Sequence, residues 1–457
     1  MRAVFGALGV AVAVVSLAAA QDPTLVTDPP ERFTMRVVAT GLDGPWELTW
    51  GPDQQLWVTE RKSRRVLRVN PADGASSTIL SLSDAHQSVG QDGLLGMALD
   101  PDLLSGKGND YVYLAFTYDD AVGPALSRRM AIRRYQYDAG ARALRNPMDV
   151  ITGLPAHDDH VGGRLVVGPG RKLFLTIGDQ GSNFGANRCN VNHAQDLPTA
   201  AQIRARDWSH YQGKILRIEL DGSIPADNPE IDGVRSHVFS WGHRNPLGLV
   251  AGPNGLYESE HGPSSDDEVN LIEGGRNYGW PNVAGYPDDK SYAYANWSAS
   301  APEPCRSLPG GNAAPPSVPT RTETSWNHPR FTPPLRAFFT VDTGYDLRSI
   351  GAATIAPGGI DVYTSGAIPG WRNSLLALSL IRGTVYRLSL AADGRSVTGP
   401  PVELFRTANR YRDIALNPDG RTIYLATDPE GPSRDPSGAQ RRLANPGSIL
   451  EFSYAGQ

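Results

Sequence analysis

Cysteine is almost absent: Cys189 and Cys305 are the only two in 457 residues. Two cysteines cannot build a structural zinc site, and sequence does not fix whether they are close enough to pair. Positive charge is not in excess, with 43 Lys and Arg against 48 Asp and Glu and a net charge of -5. That balance argues against a nucleic-acid partner, which calls for a basic stripe. The chain carries no Walker loop and no strand–GxGxxG–helix unit, so a nucleotide cofactor is not expected. Methionine is scarce, and beyond the first twenty residues no apolar run reaches membrane length.

Glycine (49) and proline (37) are plentiful, and aromatic residues make up 8% of the chain. Many short strands joined by tight turns give this balance, and a helical bundle does not. The first twenty residues read as an export signal. Arg2 is the positive n-region, Val4 to Leu17 the apolar core, and Ala18-Ala19-Ala20 the small-residue cleavage site. The alternative, an N-terminal anchor, fits less well because the run is short and lacks a charged stop. The expectation is a signal peptide over 1–20 and a single domain over 21–457, periplasmic or secreted, with no membrane span.

A hairpin recurs along the chain. Its copies are Leu48–Glu60, Met97–Asp102 continued by Tyr111–Ala115, Leu165–Thr176, Leu249–Tyr257, Thr354–Thr364 and Ile414–Leu425. Each couples β-rich runs through a turn at Pro52, Pro101, Pro169, Pro253, Pro357 or Pro418. Third strands follow several copies, at Val66–Val69, Ile132–Tyr137, Ile215–Ile218, Val385–Leu388 and Ile449–Phe452. One such sheet cannot bury both faces, but sheets stacked around an axis can. Six copies predict an all-β, six-bladed β-propeller of four-stranded antiparallel sheets. The two ends would share a blade, with Phe33–Ala39 as its outer strand. A pair of β-sandwiches is the alternative. Two stretches read as long surface loops: 302–334, with nine prolines, and the polar run 428–447.

Several segments carry candidate chemistry. His157-Asp-Asp-His160, entering the third copy, offers two imidazoles and two carboxylates for metal binding or for a His–Asp acid/base pair. A solvated polar loop is the bland reading. Gly242-His-Arg-Asn-Pro246 puts Arg244 and Asn245 at the mouth of the fourth copy, where a guanidinium could hold a developing oxyanion or simply pair with the next blade. Arg410 and Arg412 share one face and suit a polycarboxylate ligand, or a surface ladder. Gly262–Glu268 and Tyr286–Asp289 cluster carboxylates with turn carbonyls, a hard-oxygen donor set that suits Ca²⁺ and also occurs in empty acidic turns.

Together these segments resemble the soluble pyrroloquinoline-quinone-dependent glucose (aldose sugar) dehydrogenases, of the glucose/sorbosone dehydrogenase type. The resemblance rests on Gly90–Gly96, Asp159-His160 with Gly163-Arg-Leu165, Thr176–Gly181 and Leu220–Pro225. It continues through Gly242–Pro246, Gly275–Tyr286, Tyr292–Asn296, Asn409–Asp413 and Asn445–Ser448. It implies that His160, oriented by Asp159, is the general base on the anomeric hydroxyl, with Arg244 polarising a quinone oxygen and Gln91 beside the substrate. Asn245, Thr354, Arg410 and Arg412 would hold pyrroloquinoline quinone. Carbonyls of Gly262 and Pro263 would ligate the Ca²⁺ under the quinone. A second Ca²⁺ would use Glu268, Tyr278, Ala284, Tyr286, Asp288 and Glu323. An external electron acceptor and a homodimer are also implied.

The chain departs from that family in two places. The loop over the cofactor mouth is shortened to Asp346–Ala353, where Ser349 and Ala352 stand for two aromatics, with Tyr345 nearby. A lysine that pairs with the quinone aligns with Ile381. Losing one charge-assisted hydrogen bond costs about 1.5–3 kcal/mol. The rival reading is a calcium-containing propeller without redox chemistry, acting as a carbohydrate- or protein-binding module or a lactonase.

Overall fold

A computed structural model describes residues 25–290, 292–309, 314–343, 345, 353–435 and 437–457. The proposed signal peptide, Ser349 and Ala352 lie outside the described residues.

Six antiparallel sheets ring a common axis. Blade 1 runs through Pro45–Trp50, Leu56–Glu60, Arg65–Val69 and Ser76–Ser81. Blade 2 uses Leu94–Leu99, Tyr111–Asp119, Arg128–Asp138 and Ala143–Pro155. Blade 3 uses Gly162–Gly168, Lys172–Ile177, Lys214–Ile218 and Val238–Trp241, and Arg276–Asn277 adds a parallel fifth strand at its edge. Blade 4 is Pro246–Gly252, Gly255–Glu260, Asp267–Ile272 and Arg336–Phe338. Blade 5 is Pro357–Tyr363, Ser374–Ser379, Val385–Ser389 and Val402–Leu404.

Blade 6 joins the two ends of the described chain. Tyr411–Leu416, Thr422–Thr427 and Ile449–Gly456 are closed by Arg32–Ala39 on the outside. Met35 pairs with Phe452 and Arg36 with Glu451, so the ring shuts on a hydrogen-bonded seam. The strands bury alternate apolar residues against both neighbouring blades. Leu56, Val58 and Val69 of blade 1 meet Ala415, Tyr424 and Ile449 of blade 6, for example.

One expected turn is not a turn. Pro357 opens the innermost strand of blade 5, Pro357–Tyr363, whose pairing with Ser374–Ser379 shifts register between Pro357 and Ile360. The glycines that follow serve close approach instead. A Cβ at Gly358 would sit 2.6 Å from the Tyr411 carbonyl, and one at Gly359 would sit 2.1 Å from Asp413 Oδ1. Proline at the first residue of a strand leaves the ladder intact.

The 302–334 stretch is irregular but not empty. Trp297, Cys305, Leu308 and Val318 bury a small cluster there, and Cys189 and Cys305 are disulfide-bonded with Cα atoms 5.7 Å apart. The bridge ties this stretch to the loop that leaves the second strand of blade 3.

Candidate active site

In blades 2 to 6, the segment leading into the innermost strand carries a sequence-predicted site residue: Gln91, His160, Arg244 with Asn245, Thr354, and Arg410, with Arg412 just inside the blade 6 strand itself. The fold therefore gathers residues that are far apart in sequence at one axial mouth. His160 and Arg244 both lie against the Phe184 ring, at 6.4 and 5.0 Å from its centroid. Burial first, then Arg244, His160 and Arg412, hold the half-buried His261 imidazole well below the usual histidine range.

His160 is buried, 6% exposed, with φ at +44°. Non-glycine residues rarely occupy this left-handed region, and local strain of this kind gathers at functional sites. Gly178 permits a close backbone approach to this residue: a Cβ on the glycine would lie 2.0 Å from the His160 carbonyl. His160 Nδ1 lies 2.6 Å from Asp179 Oδ1. Asp179 Oδ1 also accepts from Gly181 N at 2.9 Å, and Oδ2 from Asn192 Nδ2 at 2.9 Å and Trp280 Nε1 at 2.7 Å. A carboxylate so placed makes Nδ1 the proton-bearing nitrogen and leaves the Nε2 lone pair free.

The carboxylate within hydrogen-bond distance of the His160 ring is thus Asp179, not the adjacent Asp159. Asp159 Oδ1 lies 3.9 Å from His160 Nε2 and 3.4 Å from Gln91 Nε2. Its backbone link is different again, since Asp159 Oδ1 accepts from the His160 amide at 3.0 Å.

Arg244 is 5% exposed, and its guanidinium lies 5.0 Å from the Phe184 ring and 5.3 Å from Trp280. Burial lowers its pKa, and Asp179, Asp159 and Asp267 oppose the shift. Nη1 donates to the His261 carbonyl at 3.3 Å, whereas Nε is buried without a partner. Asn245 is fully buried with both amide atoms unpartnered, and Gln91 Oε1 is in the same state. Buried polar atoms are rarely left so, because each costs desolvation energy. Several at one mouth fit a polar ligand with many oxygens.

The two arginines of blade 6 are less available than the sequence implied. Arg412 forks onto Asp428, with Nε to Oδ1 at 3.0 Å and Nη2 to Oδ2 at 2.7 Å, and its guanidinium stacks 4.5 Å from Trp46. Only its Nη1 is buried without a partner. Arg410 Nη1 donates to the Pro432 carbonyl, and its Nε lies 3.6 Å from the same Asp428. Thr354 Oγ1 donates to Asp267 Oδ2 at 2.5 Å. Asp267 also accepts from the amides of Gly262, Ile355 and Ala356, and burial pushes its carboxyl up to about 7. It ties the Gly262–Pro263 turn to the entry of blade 5.

The turn itself is tight. Ser264 and Asp266 both have positive φ, and a Cβ at Gly262 would meet the carbonyls of Ser265 and Asp266. Beyond it, Glu268 Oε1 accepts from Gly285 N at 2.7 Å, and Glu323 accepts from Ala284 N at 2.9 Å and Asp289 N at 3.1 Å. Burial, with neighbouring carboxylates, pushes Asp266 up to about 6, Glu323 to about 7 and Glu268 well above its usual range. Asp288 bears on both Asp266 and Glu323, and Lys290, 3.9 Å from Asp288, offsets this only in part. Crowded, buried carboxylates fit a hard divalent cation. Tyr278 does not bring its hydroxyl to this group: that hydroxyl donates to the Leu271 carbonyl at 2.5 Å, and the ring stacks on His243. Tyr286 is 37% exposed at the rim.

Asp179, His261 and Asp428 are the mouth residues for which the sequence suggested no role, and Asp267, read there only as one carboxylate of a possible Ca²⁺ cluster, instead anchors Thr354. Each acts through a partner distant in the chain. A separate cavity of about 450 Å³ is lined by Arg164, Glu47, Trp50, Asp361, Tyr363 and Asn417 among others. It contains none of these mouth residues.

Fold and site together define a class: six-bladed propellers that converge a histidine–carboxylate couple and buried guanidinium groups on one axial mouth. The chain belongs to the glucose/sorbosone dehydrogenase family, whose model matches residues 42–303 and 348–434. It is 42% identical over 440 residues to quinoprotein glucose dehydrogenase B of Acinetobacter calcoaceticus, covering 93% of this chain and 91% of that one. It is 26% identical over 411 residues to aldose sugar dehydrogenase YliI of Escherichia coli, covering 87% of this chain and 91% of that protein. Among solved structures, the PQQ-bound aldose sugar dehydrogenase of Streptomyces coelicolor matches with a TM-score of 0.63 and 25% identity, covering 93% of this chain and 100% of that one.

Proposed function

We propose that this protein oxidises glucose-like aldoses to their lactones as a quinoprotein, using pyrroloquinoline quinone and Ca²⁺. The carrying observation is His160, held by Asp179 with Nε2 free, on the same Phe184 ring as the buried Arg244. Binding alone requires no base beside an oxyanion donor. When bound, the quinone supplies the two-electron acceptor for the hydride of sugar C1, and an external acceptor then takes the electrons.

The chain's own groups do the rest. His160 Nε2 takes the proton of the anomeric hydroxyl, and Asp179 stabilises the imidazolium that results. Asp159 and Gln91 line the approach of the sugar. Arg244 presents its charge to an oxygen that becomes negative. Asn245, Thr354, Arg410 and Arg412 form the cofactor cradle, with Asp428 fixing the arginines in place. Carbonyls of Gly262 and Pro263 are suited to the Ca²⁺ beneath the quinone. Glu268, Ala284, Asp288 and Glu323 are suited to a second ion, joined by Tyr286 at the rim and by the carbonyl of Tyr278. Export to the periplasm or the medium accords with the Val4–Leu17 run and with the Cys189–Cys305 bridge, since disulfides persist in oxidising compartments. No described helix is long and apolar enough to cross a membrane.

Ile381 and the Asp428 fork favour a second reading, a calcium-containing propeller that binds or hydrolyses without redox chemistry. A dye-linked assay separates the two. Purified protein given pyrroloquinoline quinone and Ca²⁺ should reduce the dye with glucose and yield the lactone. Dye reduction no greater than in a protein-free control would favour the second reading.

A further inference from the structure

The loop between the second and third strands of blade 3 carries a cluster that the sugar site does not use. His193, Asp196 and His210 each place one donor atom within 4.8 Å of the others. His193 Nδ1 lies 2.7 Å from Asp196 Oδ2, and the two imidazoles stack with centroids 5.5 Å apart. His210 Nδ1 faces the Leu197 carbonyl at 3.3 Å, which makes it the proton-bearing nitrogen and leaves Nε2 to accept a metal. A histidine ligand ordinarily has such an outer partner on its second nitrogen.

The backbone under the cluster is pinned. Lys214 Nζ donates to the carbonyls of His193, Ala194 and Gln212 at 3.0, 2.9 and 2.7 Å. Asn192 donates to Asp179, and Gln195 Nε2 donates to the Trp280 carbonyl at 2.7 Å. His210 sits in a single 3-10 turn anchored by the fully buried Tyr211. The donors themselves stay open to solvent, with the His193 side chain 30% exposed and that of Asp196 47%. Small side-chain rotations therefore suffice to bring them to metal-ligand distances of about 2.0–2.2 Å.

We propose that His193, Asp196 and His210 form a binding site for a divalent transition-metal ion, distinct from the carboxylate cluster around Glu268. Two imidazoles and one carboxylate suit Zn²⁺, Ni²⁺ or Cu²⁺, whereas Ca²⁺ prefers a larger shell of oxygens. The remaining coordination positions face water. The site stands whether or not the mouth binds a quinone.

Zn²⁺ is titrated calorimetrically into the full protein kept in saturating Ca²⁺, alongside His210→Ala and Asp196→Asn. The expected result is one Zn²⁺ per wild-type chain, with affinity lower by at least about tenfold in each variant, the scale set by losing even an outer partner of a metal ligand. Melting curves of the three proteins without Zn²⁺ confirm that each is folded. Wild-type affinity in either variant, or displacement of Zn²⁺ by added Ca²⁺, would overturn the site.

Discussion

His160 Nδ1 and Asp179 Oδ1 lie 2.6 Å apart, and three further N–H donors converge on the same carboxylate. The imidazole is thereby fixed in tautomer and in direction, and its other nitrogen turns toward the mouth. Asp179→Asn keeps the shape but removes the charge that opposes an imidazolium. Turnover should fall by about 10²–10⁴, the range for losing general-base help. Asp159→Asn should cost less, because Asp159 is 3.9 Å from the ring and does not hold it. Steady-state kinetics of both variants decide the point, and a larger loss in Asp159→Asn would reverse the assignment.

Ile381 is 3% exposed, and its carbonyl accepts from Arg434 N at 2.7 Å. The adjacent Arg382 Nε is committed to the Thr354 carbonyl at 3.0 Å. Ile381→Lys should tighten quinone binding by about ten- to a hundredfold, with little salt dependence because the position is buried. An absorbance titration of the cofactor measures it. Unchanged affinity would mean that a neighbouring arginine already fills the role.

Removing Ca²⁺ should lower the melting temperature and the quinone affinity together. An ion bound only by the native state stabilises it by mass action, about 2.7 kcal/mol at a hundred times Kd. Glu268→Gln and Glu323→Gln should each shrink the Ca²⁺-dependent shift in melting temperature. Full retention of that shift in both variants would place the ion elsewhere.

Asp361 lines the separate cavity, and burial, with Asp413 nearby, pushes its carboxyl from 3.8 up to about 7. Between those values the folded chain holds a proton that the unfolded chain has released. Its contribution to stability is therefore present at about pH 4 and lost as pH rises through 7. Asp361→Asn should melt higher than the parent at about pH 8, and the two should converge near pH 4. A pH-independent difference would contradict this.

The repeats made the fold legible, because strand-forming runs broken by Pro, Gly and Asn need no distant information. Even the shared blade followed from Phe33–Ala39, which pairs with Ile449–Gly456. The exception was Pro357, where a Gly-Gly pair that looks like a turn instead lets Asp413 approach the strand. Site residues were visible where a motif displayed them, as at His160 and Arg244. Their partners were not. The nearest acid in sequence to His160 is Asp159, but the backbone at Gly178 passes close against the His160 carbonyl and brings Asp179 onto the ring from across a hairpin. Arg412 looked free because Asp428 lies just past the end of the next strand, Thr422–Thr427, beyond the reach of any local pattern.

The most direct test is anaerobic mixing of glucose with protein loaded with pyrroloquinoline quinone and Ca²⁺, following the quinone absorbance. The account predicts reduction of one quinone per lactone formed, slowed by deuterium at sugar C1, and slowed by about 10²–10⁴ in His160→Ala with the cofactor still bound. A loaded protein whose quinone stays oxidised in glucose, or one in which His160→Ala reacts at the parental rate, would contradict it.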